Sequence, residues 1–295
     1  YCSYNNLTTL DLSNCTALKN LSCGHNQLTS LDISNCTDLR NLSCGHNQLT
    51  SLDLSKNTAL SDLGCEYNQL TSLDVSGCID LKQLSCYDNQ LTTLDVSNCS
   101  ALTNLSCNDN QITSLDVSNN SALSFLQCRF NNLTSLDVSN NPELRFFTCY
   151  GNQLTSLDVS KNTALTNLGC SDNQLTSLDV SNNTALEFLN CSDNQLASLD
   201  LSNNTALTDL YTYRNKYEIT LTGKTFDLST LPTGFDISKA SEWTNATVEG
   251  NILTIEDITK EVTYTYNCGL GFSDTFALVP QIEEEITSVE INETN

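Results

Sequence analysis

Methionine is missing from this chain, even at residue 1, while tryptophan occurs once and histidine twice. The first absence fits a processed or trimmed chain. Basic residues are also scarce: 12 Lys+Arg stand against 35 Asp+Glu, for a formal net charge of -23. That balance excludes the basic surface that nucleic-acid phosphates require and argues equally against an anionic membrane surface. Its plain role is solubility. No apolar run approaches the roughly 18 residues of a spanning helix, and no signal peptide is visible.

What the chain has in excess is cysteine, fifteen in all. Such a count usually signals disulfides or metal sites, but the spacing here says otherwise. Cys2, Cys23, Cys44, Cys65, Cys86, Cys107, Cys128, Cys149, Cys170 and Cys191 recur every 21 residues. Other columns keep the same step, with aspartate from Asp11 to Asp200, serine two positions later, and asparagine from Asn5 to Asn215. One unit reads L-x-x-L-x-C-x-x-N-Q-L-T-S-L-D-V-S-x-x-x-x. A fixed period in the twenties signals a solenoid, whose coils bury their apolar edges only by stacking.

Each unit has two similar halves. Leu18, Leu21 and Cys23 are answered ten residues on by Leu28, Leu31 and Ile33. Apolar and polar residues alternate in each half, as short strands require, so two strands per coil are expected. Between Ser34 and Leu39 there is no room for a helix. In-register parallel strands about 4.8 Å apart would make ten coils a rod of roughly 48 Å.

The unit resembles the leucine-rich repeat, with its L-x-x-L-x-L/C-x-x-N-x-L signature. Its nested 10 + 11 division, with L-D in the second half, is similar to the bacterial 21-residue subclass L-x-x-L-x-C-x-x-N-x-L-x-x-L-D-L. The resemblance spans residues 1 to about 215. It implies a mainly β, right-handed solenoid of parallel short strands with little or no helix. It also implies a non-catalytic protein, secreted or at the cell surface, that binds others. A fold alone does not name a ligand.

The columns have physical readings. The strand cysteines point inward as small hydrophobes, and stacked Cβ atoms at the strand spacing lie too far apart for the ~3.8 Å a disulfide prefers. Cys15/Cys36 and Cys78/Cys99 occupy a turn position that elsewhere holds Asn, which leaves bridge and free thiol both open. In the resemblance, Asn or Cys there bonds loop backbone from inside. The Asn5-to-Asn215 column is scaffold, pairing with turn amides and carbonyls. The aspartate column points outward. Its carboxylates repel by roughly 1 kcal/mol at 4.8 Å in a water-like dielectric, and calcium needs six to eight oxygens where each coil offers one carboxylate. An ice-binding reading rests on regularity alone, and the charged aspartates count against it. No metal or other cofactor is expected.

After Asn215 the pattern decays into alternating β-runs with turn signals such as Gly250-Asn251. Residues 216–281 are read as a small β-sandwich-like domain that covers the last coil, with Trp243 as core anchor. Residues 282–295 read as an acidic tail or linker.

Candidate chemistry is thin. His25 and His46 lie one coil apart in near-identical units, which repeat copying explains, and no third metal ligand stands out. No nucleophile–base constellation appears. What remains is the outward face of the first strand. Early coils show small neutral residues there (Asn20, Ser22, Gly24; Asn41, Ser43, Gly45), whereas Phe125, Gln127 and Arg129, then Phe146, Thr148 and Tyr150, fill the middle. Phe130 follows one strand, Arg145 precedes the next, and Phe188 lies two coils on. Phe147 takes a core leucine column and should point inward. Exposed aromatics with arginine are the usual composition of interface hot spots. The expected ligand-binding face is therefore Phe125, Arg129, Phe130, Arg145, Phe146, Tyr150 and Phe188, on a monomer that recognises a protein. A glycan-binding module and a structural spacer rod are the alternatives. Tyr211, Tyr213 and Arg214, on the last coil, are expected to pack against the second domain.

Overall fold

The structure, a computed structural model, describes residues 1–221 and 223–282. Ten three-residue strands recur every 21 residues: β1 (Asn20–Ser22), β2 (Asn41–Ser43), β3 (Asp62–Gly64), β4 (Gln83–Ser85), β5 (Asn104–Ser106), β6 (Phe125–Gln127), β7 (Phe146–Thr148), β8 (Asn167–Gly169), β9 (Phe188–Asn190) and β10 (Asp209–Tyr211). They form one parallel sheet in chain order. Equivalent columns face each other, so Phe125 pairs with Phe146 and Leu126 with Phe147. Helix is limited, among the described residues, to two 3-10 turns, Leu228–Thr230 and Ile237–Lys239.

The repeat explains why each strand is short. Its middle residue is buried between two outward ones, and two residues after the cysteine the chain turns through positive φ, as at His25, His46 and Phe130. The following asparagine closes that turn. Asn131 donates Nδ2 to the carbonyls of Cys107, Cys128 and Arg129 at 3.0, 3.2 and 3.1 Å, and its Oδ1 accepts from the Ile112 N–H at 2.9 Å. Buried backbone polar groups are satisfied from inside, coil after coil.

Leucine columns and the cysteine ladder fill the interior, and Phe147 is fully buried as expected. All fifteen thiols are free, Cys15, Cys36, Cys78 and Cys99 among them. Burial pushes the Cys23, Cys107 and Cys170 thiols up to about 12, so they pack as inert apolar groups. At the second turn the thiol stands in for an amide. Asn57 Nδ2 donates to the carbonyls of Ile33 and Cys36 at 3.1 and 2.9 Å, whereas Cys78 Sγ faces the Asn57 carbonyl at 3.8 Å and Cys99 Sγ that of Val75 at 3.7 Å.

The expectation of two strands per coil is corrected. The leucines of the second half are buried, but successive coils meet there through about one main-chain bond each, such as Gln48 N–H to the Leu28 carbonyl at 2.9 Å and Gln69 N–H to the Leu49 carbonyl at 2.8 Å. A ladder needs bonds repeated along the strand. Instead the chain turns at the aspartate, whose carboxylate accepts the N–H two residues on, as Asp53 does from Ser55 at 2.9 Å. An Asx turn takes the place of the second strand.

Beyond the last coil the chain forms two further sheets. β11 (Lys216–Leu221), β17 (Phe272–Ile282), β16 (Val262–Gly269) and β13 (Ala240–Thr244) make one, in that order, with β11 and β17 parallel. β12 (Thr225–Asp227), β15 (Ile252–Ile255) and β14 (Ala246–Glu249) make the other. Tyr264, Tyr266 and Phe276 are buried between neighbours, and Trp243 stacks on Tyr264 at 4.5 Å. These sheets contact the last coil. Leu201 N–H donates to the Cys268 carbonyl at 2.8 Å, Ala277 N–H to that of Asn215 at 3.1 Å, and Lys239 pairs with Asp200 at 3.3 Å. Apolar residues of the last coil, Leu201 among them, are thereby withdrawn from water, as a solenoid end requires. Strand β17 runs one residue past the expected boundary, and of the acidic tail residues 283–295 lie outside the described residues.

Candidate binding face

Parallel register turns sequence columns into surface lines. Residues 125 and 146 head equivalent strands, so their rings stack at 4.7 Å with planes 10° apart. Residues 129 and 150 sit two places past the strands. There Arg129 Nη1 donates to the Tyr150 hydroxyl at 2.6 Å, and the guanidinium lies 5.4 Å from the ring centre. Arg129 Nε stands 3.9 Å from Asp109, beyond hydrogen-bond reach. Burial, with Asp88 close by, raises the Asp109 carboxyl above its ordinary value, and Arg129 opposes the shift.

Phe130 occupies the positive-φ turn and meets Tyr150 edge-on at 5.1 Å. It rests on Gly151, where a Cβ would come within 2.4 Å of the ring. The glycine is required twice, by its own φ of +67° and by the ring above it. Phe130 is 47% exposed, while Phe125, Arg129, Phe146, Tyr150 and Phe188 are half-buried. Arg145 is exposed and joins no ion pair among the described residues. The geometry thus makes two contacting groups, Phe125 with Phe146 and Arg129 with Tyr150 and Phe130, and Phe146, Arg129 and Tyr150 line one depression. Phe188 stands apart across a depression of about 320 Å³ that Phe146, Tyr150, Asn167 and Gly169 also line.

The last-coil expectation is corrected. Tyr211 and Tyr213 are 42% and 43% exposed. Tyr211 meets Phe188 at 5.7 Å, and Arg214 lies over Tyr213 and pairs with Asp193. These residues occupy outward columns, so they extend the aromatic line. The second unit docks through inward ones: Thr212, in the place of a ladder cysteine, bonds Asp274.

Sequence reasoning missed a second aromatic line. Tyr4, His25, His46 and Tyr67 stack face to face at 4.2, 3.9 and 4.1 Å, and Tyr87 closes the line edge-on at 5.2 Å. The signal was available, because the first four share the positive-φ column that also holds Phe130. Burial and the neighbouring His25 lower the His46 pKa, against the pull of Glu66 and Asp88. Beside the line, a groove of about 550 Å³ runs over β1 to β6, with Asp62 and Glu66 in its lining. Among the described residues no group of three or more His, Cys, Asp or Glu is arranged to hold a metal ion. The aspartate column carries turn-forming carboxylates; Ser76 and Ser118, for example, hold Asp74 and Asp116 below their ordinary value.

Comparison with known proteins bears on the repeat. A family model described as leucine-rich repeats (two copies) matches residues 16–57, and an LVIVD-repeat model matches residues 86–108. No curated protein sequence matches. Among solved structures, the chain is similar to the functional domain of InlJ from Listeria monocytogenes, which includes a cysteine ladder. Identity is 28% and the TM-score 0.58, over 94% of this chain and 84% of that one. A leucine-rich-repeat protein of Leptospira interrogans is 26% identical with a TM-score of 0.63, over 67% of this chain and 56% of that one. An internalin, InlF of Listeria monocytogenes, shares the fold at 23% identity and a TM-score of 0.64, over 73% of each chain. Residues 16–57 thus match leucine-rich repeats, and the solenoid is similar to leucine-rich-repeat structures, a fold that generally serves as a non-enzymatic binding scaffold. No helix among the described residues is long and apolar enough to cross a membrane.

Proposed function

We propose that this leucine-rich-repeat solenoid, of the bacterial 21-residue subclass, is a secreted or cell-surface recognition protein without catalytic activity. It binds a partner protein, in adhesion or host contact, as a monomer. The carrying observation is the stacked Phe125–Phe146 pair and, on the other side of a shared depression, the group of Arg129, Tyr150 and Phe130. Half-buried rings with a held guanidinium lose little freedom on binding, and such residues dominate interface energetics. The InlJ likeness and its cysteine ladder support the subclass.

The test is capture from candidate surface extracts, beside a glycan array, with wild type and the Phe125→Ala/Phe146→Ala/Tyr150→Ala variant. Thermal melting verifies that the variant is folded. Loss of a captured protein by at least roughly 2 kcal/mol, about 30-fold in affinity, is expected for a hot-spot cluster. Capture of nothing by wild type, or equal capture by the folded variant, would instead favour the spacer rod. A glycan lost on the same substitutions would favour the sugar-binding module.

A further inference from the structure

The depression between Phe146 and Phe188 has the dimensions of a slot. The two residues head β7 and β9, two strand intervals apart, which is about 9.6 Å. Each wall is propped from behind, Phe146 by Phe125 at 4.7 Å and Phe188 by Tyr211 at 5.7 Å. Between them the column holds only Asn167, and the next outward position of that strand is Gly169. A Cβ at Gly169 would already sit 3.2 Å from Thr148 Cγ2. One flat ring touching both walls needs about 7–8 Å, two carbon–carbon contacts, so the slot admits a ring.

The polar lining is one-sided. Gln127 Oε1 accepts from Ser106 Oγ and Asn108 Nδ2, Asn167 Oδ1 accepts from Thr166 Oγ1, and Asn190 Oδ1 accepts from Ser192 N and Oγ. The Tyr150 oxygen accepts from Arg129. The amide and phenolic acceptors are thus engaged within the protein, and the Thr148 hydroxyl is left unpartnered, while three amide NH2 groups, a phenolic proton and a guanidinium remain as donors. Among the described residues no carboxylate lines the slot, on a protein of net charge -23.

We propose that this slot seats one aromatic side chain of the partner protein, and that the donors around it, led by Arg129, take a carboxylate adjoining that ring. The proposal rests on the recognition role above and adds the chemistry of the anchor. A neutral sugar, whose hydroxyls donate as well as accept, matches a lining dominated by donors less well.

The probe is 4-hydroxyphenylacetate, titrated into the full chain at physiological salt and read by NMR. Its neutral amide and glucuronate are run beside it. Saturable binding of the acid is expected, weaker by roughly tenfold for the amide, about 1.4 kcal/mol, since a hydrogen bond to a charged group is stronger than one to a neutral amide. Glucuronate, a carboxylate without a flat ring, should not saturate. Gly169→Gln fills the floor with a side chain that the same column carries at Gln127, and it should abolish binding in a protein that melting shows to be folded. Phe188→Asn, which restores the residue type found at Asn167, is the second variant should the first not fold. No saturation by the acid, equal binding to folded G169Q, or stronger binding of glucuronate would overturn the proposal. Partner capture that survives in G169Q but fails in the triple-alanine variant would leave the face and remove the slot. Probe binding by a protein that captures no partner would overturn the assignment to a partner's side chain.

Discussion

Two asparagine columns look alike in the sequence yet predict different responses to one substitution. Asn131 and Asn141 are both buried, at 6% and 0% exposure. Asn131 uses both ends of its amide, giving Nδ2 to three carbonyls and taking the Ile112 N–H on Oδ1. Asn141 uses one end, giving Nδ2 to the carbonyls of Val117 and Asn120 at 3.0 and 2.9 Å, while its Oδ1 is buried without a partner. Cysteine replaces the donor but not the acceptor. Asn131→Cys leaves the Ile112 N–H unsatisfied at about 1–3 kcal/mol, and losing the amide–carbonyl bonds, partly replaced by a weak thiol contact, adds about 1 kcal/mol more. The total is roughly 3 kcal/mol. Asn141→Cys loses bonds to two carbonyls but also removes an orphaned oxygen, for a net cost of about 1 kcal/mol or less. The same column already carries cysteine at Cys15, Cys36, Cys78 and Cys99. Urea unfolding of the two variants, compared by midpoint at equal slope, checks the difference. Equal midpoints, or a larger loss for N141C, would refute this account of the columns.

Two further outcomes follow from the interior and the histidine line. The His46 pKa is held below the ordinary 6.5 by burial and by His25; the unfolded chain therefore binds more protons than the folded one just below that value, and stability falls as pH drops through it. Between about pH 7 and 5, above most of the carboxylate range, wild type should lose more of its urea midpoint than His46→Asn; parallel curves would sink the idea. In thiol labelling of the native protein, only the half-buried Cys2 and Cys15 should react readily, with the buried thiols released on unfolding. Fast labelling of Cys107 or Cys170 would contradict their packing.

Much of this was legible because the period imposes register. Once Leu126 is known to be inward, Phe125 and Gln127 must be outward, and a spacing of 21 places Phe125 on Phe146. Phe147 was legible as core because it replaces a leucine in an inward column. The second strand misled because apolar alternation reports which side chains are buried, not where the amides go, and an aspartate redirects them. The Tyr4–His25–His46–Tyr67 line escaped because its residues follow the strand at a turn, where alternation no longer fixes direction. The last-coil tyrosines were misjudged for a related reason. Proximity in sequence to the second unit suggested contact, but the outward column decided their placement, and the second unit reached for Thr212 instead.

The orientation of the ladder also has a mechanical consequence. Strand-to-strand bonds run along the rod, from β1 to β10 in chain order. Tension applied between the two ends therefore pulls on one coil's few bonds at a time instead of shearing many together. Each 21-residue coil that peels away releases roughly 70 Å of extended chain for about 5 Å of rod given up. Under load the molecule is a reel that pays out slack in even lengths, starting from whichever end is less firmly covered.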